Sequence, residues 1–250
     1  MWKGIVVAAS SATVIVCDRL LERLSRRRHL PLVALSPLLV LEAGVGAHID
    51  ALATLALAGA VYGWSRTRAG MTGVLLGLGG LIKLWPLLAA APLVCAANRR
   101  ERARLLGTAA AIFGAVYVVV LAAGYSPFGS LGVFARSWEF GSPVFAAAAA
   151  LLGGHIARFL SAAVAIAGVV IGGWLGTKGR WLVGMQVGLV FLFAASPVVF
   201  PWYLSSLVPL LSAVPTMPVL AWVLTQPLTY EVIDTTDVGG PWAPAPWVAF

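Results

Sequence analysis

Apolar runs of helical length, each cut off by a short basic cluster, govern what this chain can fold into. The segments ERLSRRRH (22–29), SRTR (65–68), NRRERAR (98–104) and KGR (178–180) stand between stretches made mostly of alanine, leucine, valine and glycine. A hydrocarbon core about 30 Å thick is crossed by roughly 20 helical residues, and lysine and arginine collect in short loops on the cytoplasmic side. The spacing therefore predicts an all-α polytopic transmembrane helical bundle. With 60% hydrophobic and only 10% charged residues among 250, and a mean hydropathy of +0.94, an ordinary soluble domain is excluded. No strand-like alternation of polar and apolar residues is present, which argues against a β-barrel. The net charge of +8 lies mainly in the short loops. It reads as a topology signal beside anionic headgroups, so the expected partner is the lipid bilayer and no nucleic acid.

Read along the chain, residues 1–230 form a single transmembrane domain and 231–250 a short tail. The first span is 4–21; Lys3 and the apolar run after it resemble a signal peptide, but Asp18-Arg19 follow where a small-residue cleavage site is needed, so an uncleaved helix is expected. Spans 30–46 and 47–64 make an out-and-back pair, as do 69–83 and 84–97. Span 105–123 crosses outward to an outer loop, 124–145, rich in Gly, Pro, Ser and aromatics. The apolar run 145–157 is too short for an ordinary crossing and suits a re-entrant or interfacial helix. Spans 160–177 and 181–196 follow, then a short hairpin of 203–214 and 217–229, giving roughly 8–10 spans in all. Cys17 and Cys95 lie in apolar segments without CxxC or His/Cys spacing, so neither a disulfide framework nor a metal site is expected.

Between Ser36 and Pro92, among the most apolar sequence in the chain, stand Glu42, His48, Asp50 and Lys83. An ionisable group at bilayer depth costs on the order of 3 kcal/mol on insertion scales, so such groups usually face a bundle interior, pair, or line a substrate path. On an unbroken helix positions 42, 46 and 50 share a face, but Gly44 and Gly46 favour an interruption that lets backbone approach a ligand. Two readings of Asp50 stand: a helix cap with His48 as its neighbour, or part of a polar site together with Glu42. Two also stand for Lys83, which precedes the helix-breaking Pro86: snorkelling to the interface, or a buried cation awaiting a phosphate. In the outer loop, Arg136, Trp138 and Glu139 offer a cation, a stacking surface and a carboxylate. Ser196-Pro197 and Pro201-Trp202-Tyr203 break an apolar run; they read as an aromatic belt or, with two prolines freeing carbonyls, as a cavity wall.

The order SPLLVLEAGVGAHIDALA, LLGLGGLIKLWPLLAAAPLV, RSWEFGSPVF, SPVVFPWYLSSLVPLL, PLTYE, spanning roughly 30–232, resembles glycosyltransferase family 87. That resemblance implies a GT-C-like fold and transfer of a hexosyl group, often mannosyl, from a polyprenyl-phosphate sugar to a glycolipid or cell-envelope glycan acceptor. It places the active site on the outer face of the plasma membrane, with the basic loops cytoplasmic. The implied reaction is inverting: a carboxylate, Asp50 or Glu42, takes the acceptor proton while polyprenyl phosphate leaves. His48, Lys83, Arg136, Trp138, Trp202 and Tyr203 would bind substrate. Such donors need no nucleotide or other cofactor, in keeping with a sequence that has no Gly-rich phosphate loop. Family members typically begin with a further helix and a long outer loop bearing an acidic base, and continue past a tail resembling PWAPAPWV. This sequence carries neither extension, so the expectation is a truncated, divergent or split form. A polytopic transporter or flippase, using the same buried charges for substrate or protons, is the competing class. The paired hairpins show no inverted repeat of polar positions that would support it. A non-catalytic membrane subunit is the third.

Overall fold

The computed structural model describes residues 1–129, 131–232, 236, 239 and 240. Of the expected tail, 231–250, only residues 231, 232, 236, 239 and 240 are among the described residues. Everything regular among the described residues is helical; the only strand-like pairing is one isolated bridge between Phe140 and Val198. Among the described residues, three helices are long and apolar enough to cross a membrane: α1 (Trp2–Arg23), α8 (Arg99–Ala122) and α11 (Gly154–Thr177). A fourth candidate is the broken segment Arg27–Ala34 plus Pro37–Gly46, bent by 44°. Its rigid pieces are α2 (Pro31–Ala34) and α3 (Pro37–Leu41), each opened by a proline that suits the first turn and disfavours helix just before it.

The interior is built from shorter helices. α4 (Asp50–Ser65) packs between α1 and α5 (Ala69–Ile82), and α5 in turn lies against α8. α1 turns Val6, Ala9, Thr13, Cys17 and Leu20 inward at helical spacing. A second group is α7 (Ala91–Ala96), α11 and α12 (Trp181–Ala195), with α6 (Trp85–Leu88) leading into it. Between the groups runs α13 (Leu207–Ala213), every residue of which is buried, after a 3-10 turn, Pro201–Ser206. α14 (Met217–Thr225) and a 3-10 turn, Gln226–Tyr230, follow.

The outer surfaces of α8 and α11 are apolar as well. Val118, Val119 and Leu121 on α8, and Ile166, Val170 and Trp174 on α11, are all exposed. In water such contiguous surface would drive association; a hydrocarbon phase suits it, and the fold fits a membrane protein.

Several boundaries differ from the sequence-based expectation for definite reasons. α8 starts at Arg99 and not near 105, because Asn98 and Glu101 form a reciprocal capping box. α5 stops at Ile82 because Pro86 has no N–H for the Ile82 carbonyl and its ring would crowd that group. The run 145–157 resolves into α10 (Pro143–Leu152) and the beginning of α11, separated at Gly153, where φ is +85°. Arg158 therefore lies within α11, where it is paired with Glu139 at 2.7 Å and donates to the Ala135 carbonyl of α9 (Leu131–Ser137) at 3.0 Å.

Candidate functional site

The chain breaks where the glycines predicted it would. After α3, Glu42–Gly46 form one π turn, Ala47 adopts a left-handed conformation (φ +52°), and α4 begins at Asp50. The left-handed residue is held from outside its own segment: Trp2 Nε1 of α1 donates to the Ala47 carbonyl at 2.7 Å. This turn brings Glu42 back over His48, Oε2 lying 2.5 Å from Nδ1. Glu42 is 1% exposed.

Asp50 is the first residue of α4, yet its side chain makes no capping bond. Of the two sequence readings, the polar site is the one its position fits. Its carboxylate is buried and lies 3.4 Å from Lys83 Nζ through Oδ2. Lys83 stands just past the end of α5 in extended backbone, and its ammonium also lies 4.9 Å from the Tyr203 ring centroid. Lys83 thus turns inward to an acid and an aromatic face.

The 3-10 turn Pro201–Ser206 supplies the third wall. Thr54 of α4 and Ser205 share a hydrogen bond of 3.0 Å that fixes this turn against α4. Trp202 stacks on the His48 ring (3.7 Å, 16°), Phe200 on Trp202 (4.5 Å, 12°), and Phe140 on Phe200 (4.6 Å, 29°). Four rings thus run as a column from the partly exposed His48 imidazole to the segment after α9. Trp138 joins its side, edge-on to Phe200 at 6.3 Å. A cavity of about 140 Å³ lies along this column, with Pro201, Thr229 and Tyr230 in its wall.

Three polar atoms here are buried without a hydrogen-bond partner among the described residues: Glu42 Oε1, Asp50 Oδ1 and the Tyr230 hydroxyl. Leaving a buried polar atom unsatisfied costs about 1–3 kcal/mol, more when it is charged, so such atoms in a native fold call for a reason. Chemically, each carboxylate oxygen can accept a hydrogen bond or a proton, while Lys83 and His48 offer cationic or neutral donors beside them. Two acid–base pairs sharing one end of the bundle, under an aromatic column, have the make-up of a polar substrate site in an apolar protein.

The structure gathers Glu42, His48, Asp50, Lys83, Trp202 and Tyr203, and brings Trp138 to the rim. Arg136 is exposed on α9 and makes no hydrogen bond or ion pair among the described residues. Phe140, Phe200 and Tyr230 are additions that the sequence reading passed over. Among the described residues no three His, Cys, Asp or Glu side chains converge as a metal centre would require. No family model, curated protein or solved structure matches the chain.

Proposed function

We propose that this chain is a multi-pass membrane glycosyltransferase of GT-C-like build, with eight to ten crossings when its short apolar helices are counted. It transfers a hexosyl group, mannosyl by the resemblance, from a polyprenyl-phosphate sugar to a lipid-linked or cell-envelope glycan. The reaction takes place at the outer face of the plasma membrane, with the basic loops cytoplasmic. The observation that carries this reading is the pairing of buried Asp50 with partly exposed Lys83, one carboxylate oxygen unpartnered, set beside the Glu42–His48 pair.

In this reading Lys83 exchanges its contact with Asp50 for the donor phosphate. The freed Asp50 carboxylate then takes the proton of an acceptor hydroxyl. The acceptor oxygen bonds to the anomeric carbon as the carbon–oxygen bond to phosphate breaks, and polyprenyl phosphate leaves with the electron pair, held by Lys83. Glu42 orients His48 against Trp202, and Trp202, Tyr203 and Trp138 offer stacking faces to the sugar; Arg136 serves the lipid-phosphate approach from the rim.

The test is transfer of radiolabelled mannose from polyprenyl-phosphate-mannose to membrane glycolipids by the purified chain. Asp50→Asn and Lys83→Met are expected to abolish transfer while the protein still inserts in the membrane. Undiminished transfer in both variants would overturn the site.

A further inference from the structure

A larger cavity, about 540 Å³, lies at the far end of the bundle, walled by Arg23, Trp64, Ser65, Thr67, Glu101 and Trp181. α4 links the two ends, starting at the acid–base site with Asp50 and finishing at this cavity with Ser65. Arg23, Ser65, Thr67 and Glu101 come from three of the four basic stretches, Trp64 directly precedes one of them, and Trp181 directly follows the fourth. Those stretches hold twelve of the seventeen lysines and arginines in the chain, against two acids, Glu22 and Glu101. Segments of loops that are separate in the sequence therefore meet around one cavity, whose wall holds one of those cations, Arg23.

The wall is organised. Arg23 Nε donates to the Ser65 carbonyl at 2.6 Å, which ties the end of α1 to the end of α4 and fixes the guanidinium. Its two Nη groups have no partner among the described residues. Glu101, the one acid in the wall, is turned to its own helix start: Oε2 accepts from the Asn98 N–H at 3.1 Å, and its own N–H donates to Asn98 Oδ1 at 2.9 Å. Its charge is spent on the positive end of α8. Trp64 and Trp181 are half-buried, each with an amphipathic ring suited to headgroup depth.

We propose that this cavity binds the headgroup of an anionic phospholipid, its phosphate on the Arg23 fork and its glycerol portion against Trp64 and Trp181. A guanidinium matches phosphate oxygens in pairs, and basic pockets between helices at a membrane surface suit acidic headgroups. The site needs the membrane reading of the fold and is independent of the transfer reaction.

The full chain is reconstituted in nanodiscs of phosphatidylcholine with and without phosphatidylglycerol, and lipids retained after detergent extraction are counted by native mass spectrometry. One phosphatidylglycerol is expected to remain bound, and thermal unfolding is expected to shift upward only when that lipid is present. Arg23→Gln is expected to weaken retention roughly tenfold, the scale of one lost charge-assisted hydrogen bond. Arg180→Gln, at an exposed position beside Trp181, tests the same site without touching the Arg23–Ser65 tie and should lower retention by a smaller factor. Equal retention of phosphatidylcholine, or undiminished retention in both variants, overturns the proposal. So does an equal thermal shift with inorganic phosphate alone, which would assign the cavity to a soluble anion.

Discussion

At position 46 a methyl group would sit 2.6 Å from Glu42 Oε2 and 2.7 Å from His48 Nδ1, so these two side chains meet only across a glycine. Gly46→Ala is expected to destabilise the protein by about 1–3 kcal/mol. Gly44→Ala, where an added carbon meets nothing within 4 Å, should change it far less. Thermal unfolding in detergent checks the contrast. Lys83→Met leaves the Asp50 carboxylate buried and alone, a change of about 3–5 kcal/mol against the fold. The double variant Asp50→Asn with Lys83→Met should recover part of that loss without recovering transfer, a pattern that separates the pair's structural role from its chemistry. Glu42, His48, Asp50 and Lys83 were legible in the sequence because an ionisable group in an apolar run has so few reasons to be there. Phe140, Phe200 and Tyr230 were not, because aromatic residues in such a chain have a default place at the interface, and only the fold shows that Phe140 and Phe200 stack in line with Trp202 and His48 while Tyr230 walls the cavity. The contact between Lys83 and Asp50 joins residues from different hairpins; their shared level was readable from the alternating spans, their pairing was not.

Among the elements, α11 and α12 pack along an extended seam, and the reason is written in both. Gly168, Gly172 and Gly176 recur every fourth residue on α11, and Gly184 and Gly188 do so on α12. A Cβ on Gly172 would stand 2.7 Å from the Gly184 carbonyl oxygen, and one on Gly168 3.4 Å from that of Gly188; one on Gly176 would collide with the Pro92 carbonyl of α7. Small residues at this spacing let backbones meet, which matters where lipid removes the usual hydrophobic drive between helices. Gly184→Val is expected to separate α11 from α12 and lower the unfolding midpoint markedly, by loss of about 1–3 kcal/mol or more. Gly179→Ala in the following turn tests local backbone strain instead, since φ there is +73° and open space surrounds the added carbon. This glycine stripe was available in the sequence and went unread, as did the Asn98–Glu101 box. Hydropathy alone marked two elements to within a residue, 69–83 against Ala69–Ile82 and 181–196 against Trp181–Ala195; it missed the first six residues of Gly154–Thr177, and the expected spans 30–46 and 84–97 are each broken into short helices. The largest departures fell where a cap or a proline, and not hydropathy, sets the end.

For the molecule as a whole, the basic stretches lie together at one end and the acid–base pairs at the other. The proposed orientation can be read by thiol labelling in a chain lacking Cys17 and Cys95. A cysteine at exposed Ser126 is expected to react with an impermeant reagent from outside intact cells, and one at exposed Ser25 only after the membrane is opened. The opposite pattern would invert the topology and put the proposed reaction on the wrong side. The all-helical class was legible from composition and periodicity. Convergence of the basic stretches on one cavity was implied only as a shared side, because a sidedness rule says which surface a loop reaches and nothing of which loops touch. That convergence also gives the molecule an electrical polarity along its length. An energised membrane, negative inside, exerts about 2.3 kcal/mol on each unit charge per 100 mV. In the proposed orientation the twelve cations of the basic stretches already rest at the low end of that potential. Turning the protein over would drive its net positive end uphill, so the voltage the cell maintains also locks the chain in place once it has inserted.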